Sequence, residues 1–460
     1  MSAEPHWFNP SLLRAYDIRG IVGETLSETD AYYVGRAFAT LLPERSGGPL
    51  AVGRDGRLSS PSLEEALIRG LQESGQDVCS IGCVSTPLLY YTVFEHTPAG
   101  GIMITGSHNP PQHNGVKLLQ GHHSLFGEQI QQIGTIAASG SFRSGKGGRY
   151  PFTPQERYIL RLLQGITISS RLRVAWDTGN GVVGPILQSL ISHLDCASFI
   201  IHAEVDGHFP NHPPDPAVPE HLRALQDLVH RESCALGIAF DGDGDRIAVV
   251  DEQGQRVPTD ALLVLFARDI LMTSPGAPMI ADVKTSQVFF SEVARLGGQP
   301  LMERTGHSFV KSRMHETQAP FAGELSGHFF FADRWYGFDD GLYTALRLLE
   351  LLSKQEKPLS VLVQSIPTRF TTPEISFPCP DMHKKQVMAR VAQRLQQDNI
   401  SFSTIDGVRV TTPQGWWLLR ASNTQALLTG RVEAISLEAQ ETLLQELKRY
   451  LQEGQKPDAP

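Results

Sequence analysis

A serine in a short polar loop is the first residue of this sequence whose setting suggests chemistry. Residues 105–110 follow the apolar segment Gly100–Ile104, which predicts a buried strand that ends in a turn. Functional side chains of α/β proteins collect at such strand ends, where an activated serine hydroxyl can carry a phosphoryl group. Residues 114–117 offer a second turn and a cation that can return to the same loop. Ser107 is therefore a candidate nucleophile, although the six residues alone would also suit an ordinary polar turn.

Three aspartates alternate with glycines between two apolar segments further along the chain. Asp241, Asp243 and Asp245 lie within 239–250, and the intervening glycines allow the backbone to curl until the three carboxylates converge. Hard divalent cations prefer oxygen ligands, and Mg²⁺ commonly takes few carboxylates together with a substrate phosphate. The alternative is a solvated acidic turn, but three carboxylates this close repel one another unless a cation joins them. The pattern therefore predicts a magnesium site.

Three further segments combine charge with small polar residues. Arg19 lies beside two glycines, in a stretch that suits a surface turn or a phosphate contact. Glu324 and Ser326, in the glycine-bounded loop 323–328, offer groups that pair with sugar hydroxyls. Residues 420–424 combine an arginine with three hydrogen-bonding side chains, which suits bidentate binding of a phosphate as well as it suits a polar loop.

The elements that must position these residues occur in a repeated order. Short strands that lead into loops and then helices begin near residues 50, 173 and 278, so the unit recurs about every hundred residues. Three related α/β domains in tandem explain this spacing, and their helix N-termini lie where anions bind well. A boundary is expected near Pro367, and the remainder suits a smaller α+β unit with an amphipathic helix over 384–397.

Local signals predict where some elements begin and end. Ser60 followed by Pro61 is typical of a helix N-cap and a first helical residue. Residues 338–341 are expected to cap a helix over 342–352. The polar tail that starts at Glu453 contains two prolines and is expected to be disordered.

Composition excludes several classes of protein. With 460 residues, 41% of them hydrophobic and 19% charged, the chain suits three or four ordinary globular domains. Its 40 basic and 49 acidic side chains give a net charge of −9, which argues against non-specific nucleic-acid binding. The N-terminus shows no signal-peptide pattern, no apolar run reaches the roughly 20 residues that span a membrane, and the scattered cysteines suit a reducing compartment. We therefore expect a cytoplasmic protein that binds neither nucleic acid nor membranes.

Taken in order, the motifs resemble those of the α-D-phosphohexomutases, and most closely those of the bacterial bifunctional phosphomannomutase/phosphoglucomutase branch. The serine loop 105–110, the metal loop 241–246, the sugar loop 323–328 and the phosphate loop 420–424 match four family signatures, and 210–216 is similar to the family's proline-rich linker. The resemblance covers nearly the whole chain. It implies an α/β fold with four domains around a central cleft: three homologous mixed α/β domains and a C-terminal α+β domain.

The resemblance also implies domain limits and an activity. Domain I over 1–152 would contain the phosphoserine loop, domain II over 153–254 the metal loop, domain III over 255–367 the sugar loop and domain IV over 368–460 the phosphate loop. The implied isomerase moves a phosphoryl group reversibly between C1 and C6 of mannose and glucose phosphates through a phosphoserine and a hexose 1,6-bisphosphate. Mg²⁺ is the implied metal, glucose 1,6-bisphosphate or mannose 1,6-bisphosphate the implied activator, and a monomer or weak dimer the implied assembly.

Roles for individual residues follow from the same resemblance. It implies that Ser107 carries the phosphoryl group and that Mg²⁺ lies on Asp241, Asp243 and Asp245 with an oxygen of the phosphoserine. The implied catalytic residues are Ser107, Arg19, His108, Lys117, Arg246 and His328. The implied substrate-binding residues are Tyr16, Lys284, His307, Glu324, Ser326, Arg420, Ser422, Asn423 and Thr424. Arg19, Lys117 and His328 are candidate bases, and arginine suits that role least because its pKa lies above about 12.

The resemblance also implies contacts to the sugar, and the chain departs from the family pattern in two places. Glucose and mannose differ at C2, so contacts from Glu324 and Ser326 to the 3- and 4-hydroxyls would accept both sugars. Gly106 stands where many members have alanine, and residues 425–426 stand where Thr-Pro is common. The second departure would loosen the phosphate loop.

Three alternatives stay open at this stage. A phosphoglucosamine mutase would share most of the motifs. A phosphatase of the haloacid-dehalogenase type would use Asp241 as its nucleophile and would leave Ser107 without a role. A non-catalytic protein that binds sugar phosphates would keep the fold without turnover, although every charged residue of the motifs is present.

Overall fold

Four β-sheets follow one another along the chain in the computed structural model, which describes residues 4–43, 48–97, 99–422 and 426–455. Asn423 and Thr424, which were predicted to belong to the phosphate loop, lie outside the described residues. Each sheet and the helices packed on it form one unit, and the units are numbered in chain order. The first three sheets are mixed, as the predicted α/β class requires.

The first unit has a seven-stranded sheet. Its elements are β1 (Ile18–Ile21), α1 (Glu28–Leu41), β2 (Leu50–Arg54), α2 (Ser60–Glu73), β3 (Val78–Cys83), α3 (Thr86–Glu95), β4 (Gly100–Ile104), β5 (His113–Gln120), β6 (His123–Ser124), α4 (Glu128–Ser139) and β7 (Arg149–Pro151). The strand order is β1-β5-β4-β2-β3-β7, with β6 paired to β5. Antiparallel pairing places Arg19 opposite Gly115 and Lys117 opposite Met103, beside the loop that follows β4.

The cap of α2 differs from the prediction by one residue. Ser59 is the N-cap residue, and Ser60 is the first residue of the helix. The Ser60 hydroxyl donates a hydrogen bond to Asp55 Oδ1 at 2.5 Å and therefore makes a tertiary contact instead of a cap.

The second unit has a five-stranded sheet in the order β12-β11-β10-β8-β9. Its elements are α5 (Gln155–Leu163), β8 (Arg173–Asp177), α6 (Val183–Ile191), β9 (Ala197–Ile201), a 3-10 helix (Pro219–Leu222), α7 (Arg223–Arg231), β10 (Leu236–Phe240), β11 (Ile247–Asp251) and β12 (Arg256–Val257). Because β10 and β11 pair antiparallel, the loop with the three aspartates is the connection of a hairpin. Every residue of both strands is buried, so this loop has a rigid base.

The third unit has a four-stranded sheet in the order β14-β13-β15-β16. Its elements are α8 (Thr259–Thr273), β13 (Pro278–Asp282), α9 (Gln287–Arg295), β14 (Gln299–Glu303), α10 (His307–Thr317), β15 (Phe321–Gly323), β16 (Phe329–Phe331), α11 (Gly341–Ser353) and α12 (Leu359–Gln364). The predicted sugar loop joins the antiparallel strands β15 and β16. Asp340 caps α11, since its Oδ1 accepts a hydrogen bond from Tyr343 N at 3.0 Å.

The fourth unit has an antiparallel sheet in the order β17-β22-β21-β20-β19, with β18 paired to β22. Its elements are β17 (Phe370–Thr371), β18 (Ile375–Pro378), α13 (Asp381–Gln397), β19 (Phe402–Ser403), β20 (Val408–Thr412), β21 (Gly415–Ala421), β22 (Leu427–Ala434) and α14 (Leu437–Gln455). The helix predicted over 384–397 thus begins three residues earlier. The tail prediction was wrong for Glu453, because α14 continues through Gln455.

The hydrophobic clusters do not follow the division into four units. One cluster runs through the first three units and includes Tyr91 of α3, Tyr158 of α5 and Leu346 of α11. The fourth unit has its own cluster, in which Leu447 of α14 packs on Trp417 and its neighbours in the sheet. The first three units therefore share much of their packing, and the fourth is stabilised mainly by itself.

Candidate active site

Ser107 lies at the carboxyl end of β4 in a backbone conformation that is rare for serine. Its φ angle is 49°, and the left-handed region is costly for residues other than glycine. The backbone N–H donates to Thr105 Oγ1 at 2.8 Å, and Ser107 as a whole residue is 3% exposed. Ser107 Oγ donates to Asp241 Oδ2 at 2.9 Å and lies 3.2 Å from His108 Nδ1. The predicted serine and metal loops are therefore in direct contact.

The buried guanidinium of Arg57, which sequence analysis did not assign to the site, holds the serine loop. Arg57 Nη2 donates to the carbonyls of Ser107 at 2.7 Å and Asn109 at 2.6 Å. Arg57 Nη1 donates to the carbonyls of Pro110 at 2.6 Å and His113 at 3.0 Å. Arginine suits this arrangement better than any other side chain, because its planar guanidinium offers several N–H donors in a fixed geometry. Arg57 therefore fixes the unusual backbone around the serine.

Asp55 and Gly106 explain how the serine loop accommodates the Arg57 side chain. Asp55 Oδ2 accepts hydrogen bonds from Arg57 Nε at 3.1 Å and from Gly106 N at 3.0 Å. A Cβ atom added to Gly106 would lie 2.5 Å from the Arg57 guanidinium, so the departure from alanine leaves room for the arginine. The available signal was the charged stretch after β2, but the four carbonyls that Arg57 binds lie 50 to 56 residues away in sequence.

The three aspartates have unequal partners. Asp241 Oδ1 accepts from the backbone N–H groups of Gly244 at 3.0 Å and Arg246 at 3.2 Å. Lys117 Nζ donates to Asp243 Oδ2 at 3.0 Å and to Asp245 Oδ2 at 2.5 Å. Burial alone would lower the pKa of Lys117, but these two carboxylates raise it well above its usual value. Lys117 is therefore a fixed cation at neutral pH.

The aspartates also leave oxygens for a further ligand. Asp241, Asp243 and Asp245 offer oxygens that all lie within 4.8 Å of one another. Asp243 Oδ1 and Asp245 Oδ1 are buried and lack a hydrogen-bond partner among the described residues. Burial, and then repulsion from Asp245 and Asp243, raises the pKa of Asp241. Unpartnered oxygens and crowded negative charge are the properties that a hard divalent cation satisfies.

Two arginines add positive charge around the serine. Arg246 Nε donates to Asp241 Oδ2 at 3.0 Å, the oxygen that also accepts from Ser107. Arg19 Nη1 donates to Asn109 Oδ1 at 3.1 Å, and its Nη2 donates to Asp17 Oδ2 at 2.6 Å. Both arginines were predicted to be catalytic, and both lie beside the serine loop. An anion on Ser107 would therefore face three fixed cations, counting Lys117.

The predicted histidines differ in charge. Burial, with the charge of Arg246 next, lowers the pKa of His108 well below its usual value. Burial likewise lowers the pKa of His307, whose ring centroid lies 5.8 Å from that of His328. Burial would lower the pKa of His328 too, but Asp245 and Asp339 raise it above its usual value. His108 and His307 are therefore neutral at pH 7, whereas His328 favours the protonated form.

Asp339 was predicted to help cap α11, but its side chain has another task. His328 Nδ1 lies 2.9 Å from Asp339 Oδ2, and Lys311 Nζ donates to Asp339 Oδ1 at 3.1 Å. The cap comes from Asp340 alone, because neighbouring side chains at a helix start point in different directions. Asp339 thus supports a site histidine.

The predicted sugar loop reaches the metal loop through the backbone. Arg246 and His328 form a β-bridge, and Ile247 N donates to Gly327 O at 3.2 Å. Glu324 Oε1 accepts from Gly306 N at 2.6 Å, and burial raises the pKa of Glu324 to about 7. Ser326 lies at the tip of the loop and is partly exposed.

The predicted phosphate side is built across the third and fourth units. Arg420 Nε donates to Asp406 Oδ2 at 2.8 Å, and the same oxygen accepts from Thr305 N at 3.2 Å. Lys284 Nζ lies 4.0 Å from Asp282 and 3.6 Å from a carboxylate of Glu374.

Two more predicted substrate-binding residues complete the described part of this side. The ring centroid of Tyr16 lies 5.3 Å from that of His307, which joins the first unit to the third. Burial, and then the charge of Asp17, raises the pKa of Tyr16 to about 12, so its hydroxyl keeps its proton. The backbone carbonyl of Ser422 accepts from Lys384 Nζ at 2.9 Å. The structure therefore brings the first three motifs together directly and the fourth through Asp406.

Comparison with known proteins gives the same four-part division. The chain matches family models described as phosphoglucomutase/phosphomannomutase, alpha/beta/alpha domain I over 10–144, domain II over 156–254 and domain III over 258–370. The model of the C-terminal domain of the same family matches 374–449. The chain belongs to the phosphoglucomutase/phosphomannomutase family. Membership confirms the resemblance and the fold class, while the limits 1–152, 153–254, 255–367 and 368–460 stay a prediction.

Similar proteins cover nearly the whole of this family member. It is 43% identical over 424 residues to a phosphomannomutase/phosphoglucomutase of Pseudomonas aeruginosa, with 92% of each chain covered. It is 41% identical over 445 residues to a phosphoglucomutase of Neisseria gonorrhoeae, with 96% of each chain covered. A solved phosphoglucomutase/phosphomannomutase family protein from Burkholderia thailandensis matches with a TM-score of 0.92 and 39% identity, covering 98% of this chain and 99% of that one. The protein is accordingly a hexose-phosphate mutase, an enzyme of the isomerase class.

Family membership also implies a divalent metal. The aspartate loop fits one, because two buried carboxylate oxygens there have no hydrogen-bond partner in the described part of the chain. Among the described residues, no helix is long and apolar enough to cross a membrane.

Proposed function

We propose that this hexose-phosphate mutase interconverts the 1- and 6-phosphates of both glucose and mannose through a phosphorylated Ser107. The observation that carries the proposal is the 2.9 Å contact between Ser107 Oγ and Asp241 Oδ2, inside a cluster of three aspartates. The contact supports a serine whose phosphoryl group would share the ligand sphere of the cation. An aspartate nucleophile is less suited, because both oxygens of Asp241 already accept hydrogen bonds from protein groups.

Mg²⁺ is the proposed metal, and Asp241, Asp243, Asp245 and an oxygen of phosphorylated Ser107 would hold it. When bound, it supplies charge compensation for the phosphoryl group during transfer. Lys117 and Arg246 add fixed positive charge at the same place, and positioning by the buried loop lowers the barrier further.

The remaining predicted residues suit the substrate. Glu324 and Ser326 would accept and donate hydrogen bonds at the 3- and 4-hydroxyls, where glucose and mannose are identical. Arg420, with Ser422, Asn423 and Thr424, would bind the distal phosphate, while Tyr16, Lys284 and His307 would line the path between the two ends. A hexose 1,6-bisphosphate has a phosphate at either end, so it can turn and return its other phosphate to Ser107. Glucose 1,6-bisphosphate or mannose 1,6-bisphosphate would therefore serve as activator.

Proton transfer at the serine suits His108 better than the bases considered from sequence. Lys117 keeps its proton, because Asp243 and Asp245 hold it, and His328 favours the protonated form. His108 is neutral and its Nδ1 lies 3.2 Å from Ser107 Oγ. We propose that His108 accepts the proton that Ser107 Oγ loses when the phosphoryl group returns to that oxygen. His328 in its protonated form would donate to the sugar or its phosphate.

Phosphorus NMR tests the proposal. The protein would be supplied with Mg²⁺ and a trace of glucose 1,6-bisphosphate, and with glucose 1-phosphate, mannose 1-phosphate or glucosamine 1-phosphate in separate tubes. We expect the 6-phosphates of glucose and mannose to form, and we expect Ser107→Ala to lower the rate by at least about 10⁴-fold while the exposed control Ser62→Ala keeps it.

Each alternative has its own signature in the same experiment. Conversion of glucosamine 1-phosphate alone would indicate a phosphoglucosamine mutase. Free phosphate without isomerisation, undiminished in Ser107→Ala, would indicate a phosphatase that uses Asp241. Binding of hexose phosphate without turnover would indicate a non-catalytic protein.

We also propose a cytoplasmic enzyme that acts as a monomer or weak dimer on hexose phosphates alone. Five free cysteines without a disulfide support a reducing compartment, and the net charge of −9 suits neither nucleic acid nor anionic membranes. Light scattering of the purified protein would test the assembly.

A further inference from the structure

A large cavity separate from the proposed active site lies between the first and third units. Its volume is about 920 Å³, within the range of small-molecule sites, and it is called here the α10 cavity after the helix that forms one wall. Leu119 and Ser124 line it from the first unit, and Ser308, Ser312 and His315 line it from α10. Neither Ser107 nor any of the three aspartates lines it. The cavity therefore needs its own explanation.

Aromatic rings form much of its wall. Phe94 stacks on His122 with ring centroids 4.1 Å apart, and Tyr336 stacks on Phe338 at 5.7 Å. Phe309 of α10 also lines the cavity. Flat apolar walls of this kind suit a planar ring, which can stack on one face and meet ring edges on another.

Positive charge lies on the same wall. Lys311 Nζ is 4.2 Å from the centre of the Tyr90 ring. The guanidinium of Arg304 lies 4.6 Å from the centre of the Phe309 ring. Glu128 also lines the cavity but is exposed. The wall thus carries two cations, Lys311 beside the buried Tyr90 ring and the exposed Arg304, and together they complement an anionic group.

We propose that the α10 cavity is a second ligand site, distinct from the catalytic cleft, for a small aromatic molecule that carries a carboxylate, sulfonate or phosphate. The ring lies among Phe94, Phe309 and Phe338, and the anionic group accepts from Arg304 and Lys311. The proposal is independent of the route that the phosphoryl group takes in the active site.

The same wall adjoins the active site through one ion pair. Lys311 donates to Asp339 Oδ1, and the other oxygen of Asp339 lies 2.9 Å from His328 Nδ1. An anion that takes up part of the positive charge of Lys311 therefore acts on the support of His328 without occupying the place of the sugar.

The test uses 1-anilinonaphthalene-8-sulfonate, an aromatic anion that fluoresces when bound, and its uncharged analogue N-phenyl-1-naphthylamine. We expect the sulfonate to bind the full chain at least about tenfold more tightly than the analogue, because only the sulfonate offers an anionic acceptor. Saturating glucose 1-phosphate with Mg²⁺ should leave this binding unchanged. Mutase activity, followed in parallel, should be inhibited without competition against glucose 1-phosphate.

Two variants and one control locate the probe. Ser312→Trp fills the cavity and should abolish binding while mutase activity is retained, which also shows that the variant folds. Arg304→Gln should weaken binding by about fivefold. Arg313→Gln, the same change at an exposed arginine of α10 that does not line the cavity, should have no effect.

Several results would overturn the proposal. Displacement of the probe by glucose 1-phosphate would place it in the catalytic cleft. Equal binding of the neutral analogue would show that the site does not select for an anionic ligand. Unchanged binding to Ser312→Trp, or no binding to the native chain, would remove the site.

Discussion

At the serine end of the active site, side chains bond to one another and to the backbone. At the phosphate end, Arg420 bonds to one carboxylate of its own unit, and Lys284 lies between a carboxylate of the third unit and one of the fourth. Arg57 alone donates to four carbonyls of the serine loop. Arg420 donates through Nε to Asp406, and the nearest carboxylate to Lys284 is 3.6 Å away. Both ends are expected to bind a phosphate, but more hydrogen bonds hold the protein groups in place at the serine end than at the phosphate end.

The difference follows from where the ends lie in the fold. The serine and metal loops stand on strands of units that share one hydrophobic core. Arg420 stands on β21 of the fourth unit, which has a core of its own and meets the third through a small cluster of Val283, Trp416 and Leu418. A fixed reacting end suits in-line transfer, while a less constrained distal end suits an intermediate that must bind in two orientations. The contrast predicts that defects at the serine end lower kcat and defects at the phosphate end raise KM.

Among the residues that support the two ends, Arg57 is expected to have the largest effect, because its loss removes the hydrogen bonds that hold the serine loop. Arg57→Met should lower kcat by about 10²-fold with KM for glucose 1-phosphate nearly unchanged, because small misplacements of a reacting group cost about that much. Arg57→Lys should recover little, since a lysine cannot reproduce the four-bond fork. Steady-state kinetics with both substrates would measure the effect.

Arg54→Met is the matched control, because Arg54 lies on the same strand end and pairs with Glu64 at 3.1 Å instead of the serine loop. Its kcat should stay within about twofold of the native value. A normal kcat in Arg57→Met would contradict the idea that the loop needs the clamp.

The opposite pattern is expected at the phosphate end. Arg420→Ala should raise KM for glucose 1-phosphate by about 30-fold and leave kcat within about threefold, because it removes a charge-assisted contact to the distal phosphate. Arg394→Ala, at an exposed arginine of the same unit, serves as control. A loss in kcat at unchanged KM would show that the phosphate end is as critical for positioning as the serine end.

The same contrast explains what could be predicted from sequence. The serine and aspartate motifs could be recognised in the sequence because each is a local pattern of a few residues, and the structure brings the two loops into contact. Asp339 was assigned to a helix cap, since a cap is the local role of a carboxylate at a helix start, and its contacts with His328 and Lys311 exist only after the third unit has folded. Arg57 was missed for the same reason, because its four acceptors lie 50 to 56 residues away in the chain.

The architecture was predictable to a similar extent. The strand–loop–helix repeat indicated α/β units in tandem, and four sheets in sequence order agree with it. Local rules failed at Ser60, where a tertiary bond to Asp55 replaced a cap, and at Glu453, where α14 continues. Both errors come from packing, which a propensity of single residues does not contain.

A smaller effect is expected in the pH dependence of sugar binding. Burial raises the pKa of Glu324 to about 7, so its carboxylate is lost as the pH falls through neutrality. The ionised form accepts hydrogen bonds from sugar hydroxyls more strongly, so KM should rise as pH falls. Glu324→Gln should raise KM about tenfold at pH 8.5 and by only about twofold at pH 6. Kinetics of both proteins across this range would test the sign, and a constant ratio would contradict it.

The smallest effect on activity, but a measurable one on stability, is expected at Asp340, outside both ends of the site. Burial raises the pKa of Asp340 to about 7, whereas an unfolded aspartate titrates near pH 3.9. Between these values the folded state binds more protons, so the free energy of unfolding falls as the pH rises from about 4 to 7 and is level above that. Asn at this position keeps the cap to Tyr343 and cannot ionise.

Asp340→Asn should therefore raise the melting temperature by several degrees at pH 8 and by little at pH 5, with kcat unchanged, and the gain corresponds to at most about 4 kcal/mol. Thermal unfolding at four pH values, with the exposed Asp227→Asn as control, would measure the difference. A loss of stability of equal size at every pH would mean that the hydrogen bond from Tyr158 to the carboxylate outweighs the cost of its burial. The interface between the second and third units would then depend on the charge of Asp340, and the rigidity of the serine end would rest partly on it.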